Sequence, residues 1–318
     1  MKKNLLVTLV LFAVIFHSCK KPDNNTNPGV YATYSSIDTI FTMLQAPSKF
    51  VTFDASAGSS FYGSSGTRYV FPAGCFQDAY GNIVSGIVQV EVKELLNKGD
   101  MIFTKALPLS GTNSLISAGE IYTNATQSGQ QLYLAPGASF QANVPQGKTP
   151  VPGMSFFSGN IIAGAANNVN WNAKDSTGTG SGAVIYNGDT IDIISDSLHW
   201  CNADQFMSNP DFQTFKVALS VAGNLALPSQ LNTYALYDTV KGFWTLGTFP
   251  SLSSYSNGVY SETHVPNIPV HFVSFCLING KFYGGVTAAK PVNGGNYTIF
   301  LSQVDPTAFK GQLNNLTD

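Results

Sequence analysis

The chain has 318 residues, of which 11% are charged and 44% hydrophobic, with 16 Lys and Arg against 18 Asp and Glu. Charge at less than half of the ~25% usual in soluble domains, with a slight acidic excess, excludes nucleic acid as a partner, because displacing counterions from phosphate needs a basic patch. A single arginine, Arg68, excludes guanidinium clamps for phosphate or carboxylate groups, while the hydrophobic fraction suffices for a core. At the start, Lys2 and Lys3 precede a 12-residue apolar run, 5–16, broken only by Thr8. Spanning a bilayer takes about 20 apolar residues, so this run predicts a removable export leader over 1–18. The segment 20–29, KKPDNNTNPG, has no apolar periodicity and reads as a flexible tether, expected over 19–40.

Phe16-His17-Ser18-Cys19 sets a small residue before a cysteine directly after the apolar run. It resembles the lipobox of bacterial lipoproteins, with Phe16 and His17 in place of the usual Leu and small residue. The resemblance implies that Cys19 becomes the acylated N-terminus; one acyl chain binds marginally, whereas two or more anchor stably. The tether and the Ser/Thr/Asn-rich chain behind it resemble lipoproteins of the Bacteroidota, which implies an outer-membrane location. Some members carry acidic residues after the cysteine as a surface-export signal. Here Asp23 alone is acidic, after Lys20 and Lys21, so a periplasm-facing position is expected over the cell surface.

Beyond the tether the recurring pattern is alternation, the mark of half-buried strands. Val88, Val90 and Val92 share one face, as do Phe140, Ala142 and Val144, and Ile121, Thr123 and Ala125. Short strands with turns roughly every ten residues predict a β-sandwich rather than an α/β fold. The segment 53–94, with Gly99-Asp100-Met101, Ser117-Ala-Gly-Glu120 and Leu134-Ala-Pro-Gly137, resembles a domain repeated in Bacteroidota lipoproteins. It is also distantly similar to the ZU5 β-sandwich. These motifs are mostly turn Gly and Pro, so they imply a fold more than a function. A ZU5-like domain is expected over 41–160, followed by a Gly/Ser/Thr-rich linker over 161–182.

The remainder, 183–318, alternates again. Val217, Leu219 and Val221 share a face, and 270–278 is apolar on both faces, as in a central covered strand. Asn279-Gly280 is the strongest hairpin signal in the chain. Asp305-Pro306, with Phe309, Leu313 and Leu316 at helical spacing, predicts one short terminal helix. A second β-sandwich, transthyretin-like or immunoglobulin-like, is the expectation.

Candidate chemistry is sparse. His199, His264 and His271 show no metal-ligand spacing and are expected to be structural. Asp189, Asp192 and Asp196 lack the alternating donors and sixth-position Gly of a calcium loop, and read as a solvated strand rim; no metal and no cofactor are expected. Cys201 and Cys276, in one expected domain, are the sensible disulfide pair, against the competing reading of small buried hydrophobes. Phe243, Trp244, Phe249, Tyr255 and Tyr260 either stack on sugar rings as an exposed platform or fill a core, and core is preferred. The His-Phe-Ser at which some ZU5-containing proteins cleave themselves is Phe156-Phe157-Ser158 here, without a base for Ser158. The Bacteroidota resemblance also implies O-glycosylation at Asp-Ser/Thr sites, with Thr39, Ser176, Thr190, Ser197 and Thr239 as candidates and burial deciding among them. The expected function is a non-catalytic, membrane-anchored interaction or structural module whose partner is an envelope protein or glycan; the alternative is a glycan-binding accessory lipoprotein.

Overall fold

The structure is a computed structural model that describes residues 31–162, 167–174, 182–207, 212–228, 230–248, 255–256, 259–266, 268–291 and 295–316. Strand outweighs helix, 53% against 11%, in three sheets with a C-terminal helix. The mostly-β expectation therefore holds.

Helix α1 (Ile37–Leu44) opens the compact unit that runs from Thr33. Its buried stripe is Ile37, Ile40, Phe41 and Leu44, and the Ser36 hydroxyl caps it by accepting from Thr39 N. The expected tether therefore ends earlier than residue 40. Next come β1 (Lys49–Asp54), β2 (Ser59–Tyr62), β3 (Arg68–Phe71), β4 (Phe76–Gln77), β5 (Ile87–Leu95) and α2 (Lys98–Thr104). They are followed by β6 (Leu109–Ser110), β7 (Asn113–Gln127), β8 (Gln130–Gln131), β9 (Tyr133–Leu134), β10 (Phe140–Pro145) and β11 (Ser155–Ile161). Strands β12 (Val169–Ala173), β13 (Ala183–Asn187), β14 (Thr190–Ser195) and β15 (His199–Phe206) complete the first half.

An antiparallel series β1–β5–β7–β15–β11–β12 forms one layer. The five-stranded sheet β13–β14–β10–β3–β2 forms the other. Between them lies a core in which Val88, Val90, Val92, Ile121 and Ala125 meet Tyr69, Phe71, Phe140, Val144, Ile191 and Ile193. Alternation placed the strand residues on the face the sequence indicated. The expected linker did not hold. β12 lies inside 161–182 and pairs with β11, while β14 pairs with β10 and β15 with β7, so the first sandwich extends to Phe206.

The second half contains β16 (Phe212–Val221), β17 (Asn232–Tyr237), β18 (Lys241–Thr248), β19 (Tyr255–Ser256), β20 (Val259–Pro266) and β21 (Pro269–Ile278). Then follow β22 (Lys281–Val286), β23 (Lys290–Pro291), β24 (Asn296–Gln303) and α3 (Pro306–Asn314). Strand β16 pairs antiparallel with β20 and parallel with β24, and β17 lies between β18 and β21. The Asn279-Gly280 turn joins β21 to β22 with positive φ at both residues, as a type I′ hairpin needs. Asp305 caps α3 by accepting from Ala308 N at 2.9 Å. A core of Phe215, Val217, Val270, Phe272, Ile299 and Leu301 fills this half.

A third apolar layer binds the halves together. The other face of β17, β18, β21 and β22 offers Tyr234, Leu236, Phe243, Val273, Phe275 and Phe282. Against it pack α1, α2 and α3, together with Leu95, Leu115, Phe157, Trp171 and Trp200 of the first sandwich. Strand β7 also pairs directly with β18, Ser117 opposite Lys241 and Ile116 opposite Gly242. Helices α1 and α2 are additions to the single terminal helix expected from sequence.

Candidate functional site

The aromatic candidates divide between two sides of β18. Phe243 is fully buried in the middle apolar layer, which removes it from any sugar platform. Trp244, on the opposite face, is half-buried against the second sandwich core. Phe249 lies outside the described residues, as do the side chains of Tyr255 and Tyr260.

The three described thiols are free and buried. Cys201 belongs to the first sandwich core and Cys276 to the second, so the expected disulfide pair is not brought together. The physical reason is the fold's partition: β15, which carries Cys201, pairs with β7 and β11 rather than with strands of the second half. Burial pushes the Cys75 thiol up to about 11, and Cys201 and Cys276 up to about 12. Cys19 lies outside the described residues, as does Ser176. Of the other glycosylation candidates, Thr39 on α1 and Thr239 are exposed, while Thr190 and Ser197 are half-buried.

His271 directs Nε2 at Asp238 Oδ1 and Nδ1 at the Thr287 carbonyl oxygen, each at 2.8 Å. Both ring nitrogens thus face acceptors, and neither is open to a nucleophile. Asp192 corrects the expectation of a solvated rim: it is 5% exposed, and its carboxylate accepts from Asn143 Nδ2 at 2.6 Å and Gln141 Nε2 at 3.1 Å. Asp196 pairs with Lys174 at 3.2 Å.

The densest buried polar group was not indicated by sequence. Glu120, Asn202 and Asp204 are each 0% exposed and Ser117 is 4% exposed, on the strands β7 and β15. Glu120 opposes Asn202, and Ser117 opposes Asp204. Three steps along β7 thus match two along β15, so β7 carries an extra residue beside Gly119, whose φ is +138°. That bulge sets Glu120 on the same face as Ser117, toward the layer of Trp171 and Trp200, instead of into the first sandwich core. A side chain at 119 would also meet Leu96 Cδ2 at 2.6 Å. Asn202 Nδ2 donates to Asp204 Oδ2 at 2.7 Å. Burial, and then the neighbouring Asp204 charge, hold Glu120 well above the usual carboxylate range. The Trp171 indole tempers this slightly, although its N–H donates to the Leu107 carbonyl at 3.0 Å. Burial likewise raises Asp204, partly offset by Ser117 and Asn202. In the sequence, Ser117-Ala-Gly-Glu120 carries only the fold resemblance, with no sign of this pairing.

Among the described residues there is no group of three His, Cys, Asp or Glu side chains placed to hold a metal, and no helix long and apolar enough to cross a membrane. Two grooves among the described residues have volumes of about 570 and 530 Å³. One is lined by Thr287, Lys290, Asn296 and Tyr297, the other by Gln77, Pro136, Ala183 and Asp196.

No family model matches the chain, and no curated protein matches it. Among solved structures it is similar to the pilus 2b backbone protein of group B streptococcus, at 9% identity and a TM-score of 0.18, over 74% of this chain and 97% of that one. At that TM-score the likeness carries no argument about fold or function.

Proposed function

We propose that the chain is a lipid-anchored, non-catalytic module of the outer membrane, which presents a rigid β-scaffold to an envelope partner. The observation that carries this reading is the apolar run 5–16 followed directly by Ser18-Cys19. Its support from the fold is the middle apolar layer, which ties both sandwiches and three helices into one body suited to holding a surface in fixed shape. In this reading the first sandwich is ZU5-like, the second is transthyretin- or immunoglobulin-like, and the protein faces the periplasm. Among the described residues, His271 and Asp238 form a pair whose ring nitrogens both face acceptors.

Replacing the acylated residue tests it. The Cys19→Ala variant, expressed in a bacterial host that processes lipoproteins, is expected to leave the membrane fraction for the soluble or unprocessed pool. Membrane partitioning equal to wild type would defeat the reading.

A further inference from the structure

Eight buried side-chain atoms among the described residues have no protein hydrogen-bond partner, and four of them sit in the β7–β15 cluster: Glu120 Oε1 and Oε2, Asn202 Oδ1 and Asp204 Oδ1. These four differ in kind from the rest. The others are hydroxyls of Thr67, Tyr69 and Thr123 and the amide nitrogen of Asn232, all of which carry hydrogens. An amide or ionised carboxylate oxygen can only accept, and burying it without a donor or cation is costly.

Elsewhere the same protein satisfies its buried carboxylates. Glu94 accepts from Ser65 N at 2.6 Å and Thr67 N at 3.0 Å, and Asp192 is ringed by side-chain amides. The Asn202 carbonyl is the independent indication. It is a neutral group, 0% exposed, whose amide nitrogen donates to Asp204 Oδ2. Its oxygen has no partner, and Glu120 is the residue opposite Asn202 on β7.

We propose that Glu120, Asp204 and the side-chain carbonyl of Asn202, with the Ser117 hydroxyl, form a buried site for a hard divalent cation of the Ca²⁺ kind. Two carboxylates match a double positive charge, and an all-oxygen set without His or Cys selects a hard ion over zinc or copper. Ca²⁺ accepts irregular oxygen shells of about 6–8 donors, whereas Mg²⁺ holds its waters in a strict octahedron that a fully buried cluster does not suit. The bulge at Gly119 gains a purpose: it turns Glu120 away from the apolar core and toward Asn202 and Asp204. No lysine contributes to the shifts on either carboxylate.

The test uses the full chain, purified in detergent and stripped with EDTA. Calcium chloride at millimolar concentration is expected to raise its Tm by about 5 °C over EDTA, and elemental analysis after desalting to find one Ca²⁺ per chain. The Glu120→Gln and Asp204→Asn variants are expected to lose both effects. No bound Ca²⁺ and an unchanged Tm in the wild-type chain would overturn the proposal, whether or not the variants fold. A Glu120→Gln/Asp204→Asn double variant more stable than wild type in the presence of calcium would do so too, since it would mark a proton-sharing acid pair.

Discussion

At Glu120 and Asp204 the sign of the pH response separates the two ways of neutralising the pair. Both carboxyls are held well above their ordinary values of 4.5 and 3.8. Without a cation, the folded chain keeps protons that the unfolded chain has released. The pair's contribution to stability is then fully present below about pH 4 and is lost as pH rises through the raised folded values. With a cation bound the carboxylates are ionised, and acid displaces the ion. Urea midpoints at pH 5 and pH 8 are therefore expected to fall with rising pH in EDTA, and to rise with pH in calcium; equal slopes in the two buffers would exclude a cation. The thiols give a second residue-scale result. Cys75, Cys201 and Cys276 are buried and shifted upward, so the native protein is expected not to react with a disulfide reagent at pH 8. In denaturant, three thiols are expected if Cys19 is acylated as proposed and four if it is not; labelling of a native Cys75, Cys201 or Cys276 at the rate of a free thiol would contradict the burial.

Among the elements, β21 and α3 carry the middle layer. Phe275 lies with ring centroids 5.3–6.0 Å from Phe41, Phe103, Tyr234, Phe282 and Phe309. Phe275→Ala removes the ring that all three helices and two strands share, and is expected to cost about 3–5 kcal/mol, read from denaturant unfolding. Asp305→Ala, which removes one cap hydrogen bond at the start of α3, is expected to cost only about 1 kcal/mol. Alternation made β5, β7, β10, β16 and β21 legible, because each buries every second residue or is covered on both faces. It could not place the division between halves. The polar Asn/Ser/Thr composition of 161–182 suits an edge strand such as β12 as well as a linker, and the partners of β14 and β15 lie about 50 and 80 residues back along the chain. The acid cluster was hidden for the same reason: Glu120 and Asp204 become neighbours only through the β7–β15 register. Helix α1 was visible as the stripe Ile37, Ile40, Phe41 and Leu44, but it directly follows a segment whose composition reads as tether.

For the whole molecule, a shared layer drawn from residues between Ile37 and Leu313 makes independent unfolding of the two sandwiches expensive. Calorimetry is expected to show one cooperative transition; two separated transitions would mean that the layer couples them weakly. Among the described residues the thiols are buried and the His271 ring nitrogens face acceptors. The proposed function rests on the anchor at Cys19. Intact-mass spectrometry of the protein taken from native membranes tests it most directly. The expected result is a chain that begins at Cys19 and carries the added mass of a diacylglyceryl group and an N-acyl chain, with or without hexoses at exposed positions such as Thr39 and Thr239. A chain that begins elsewhere, or that retains an unmodified Cys19, would contradict it.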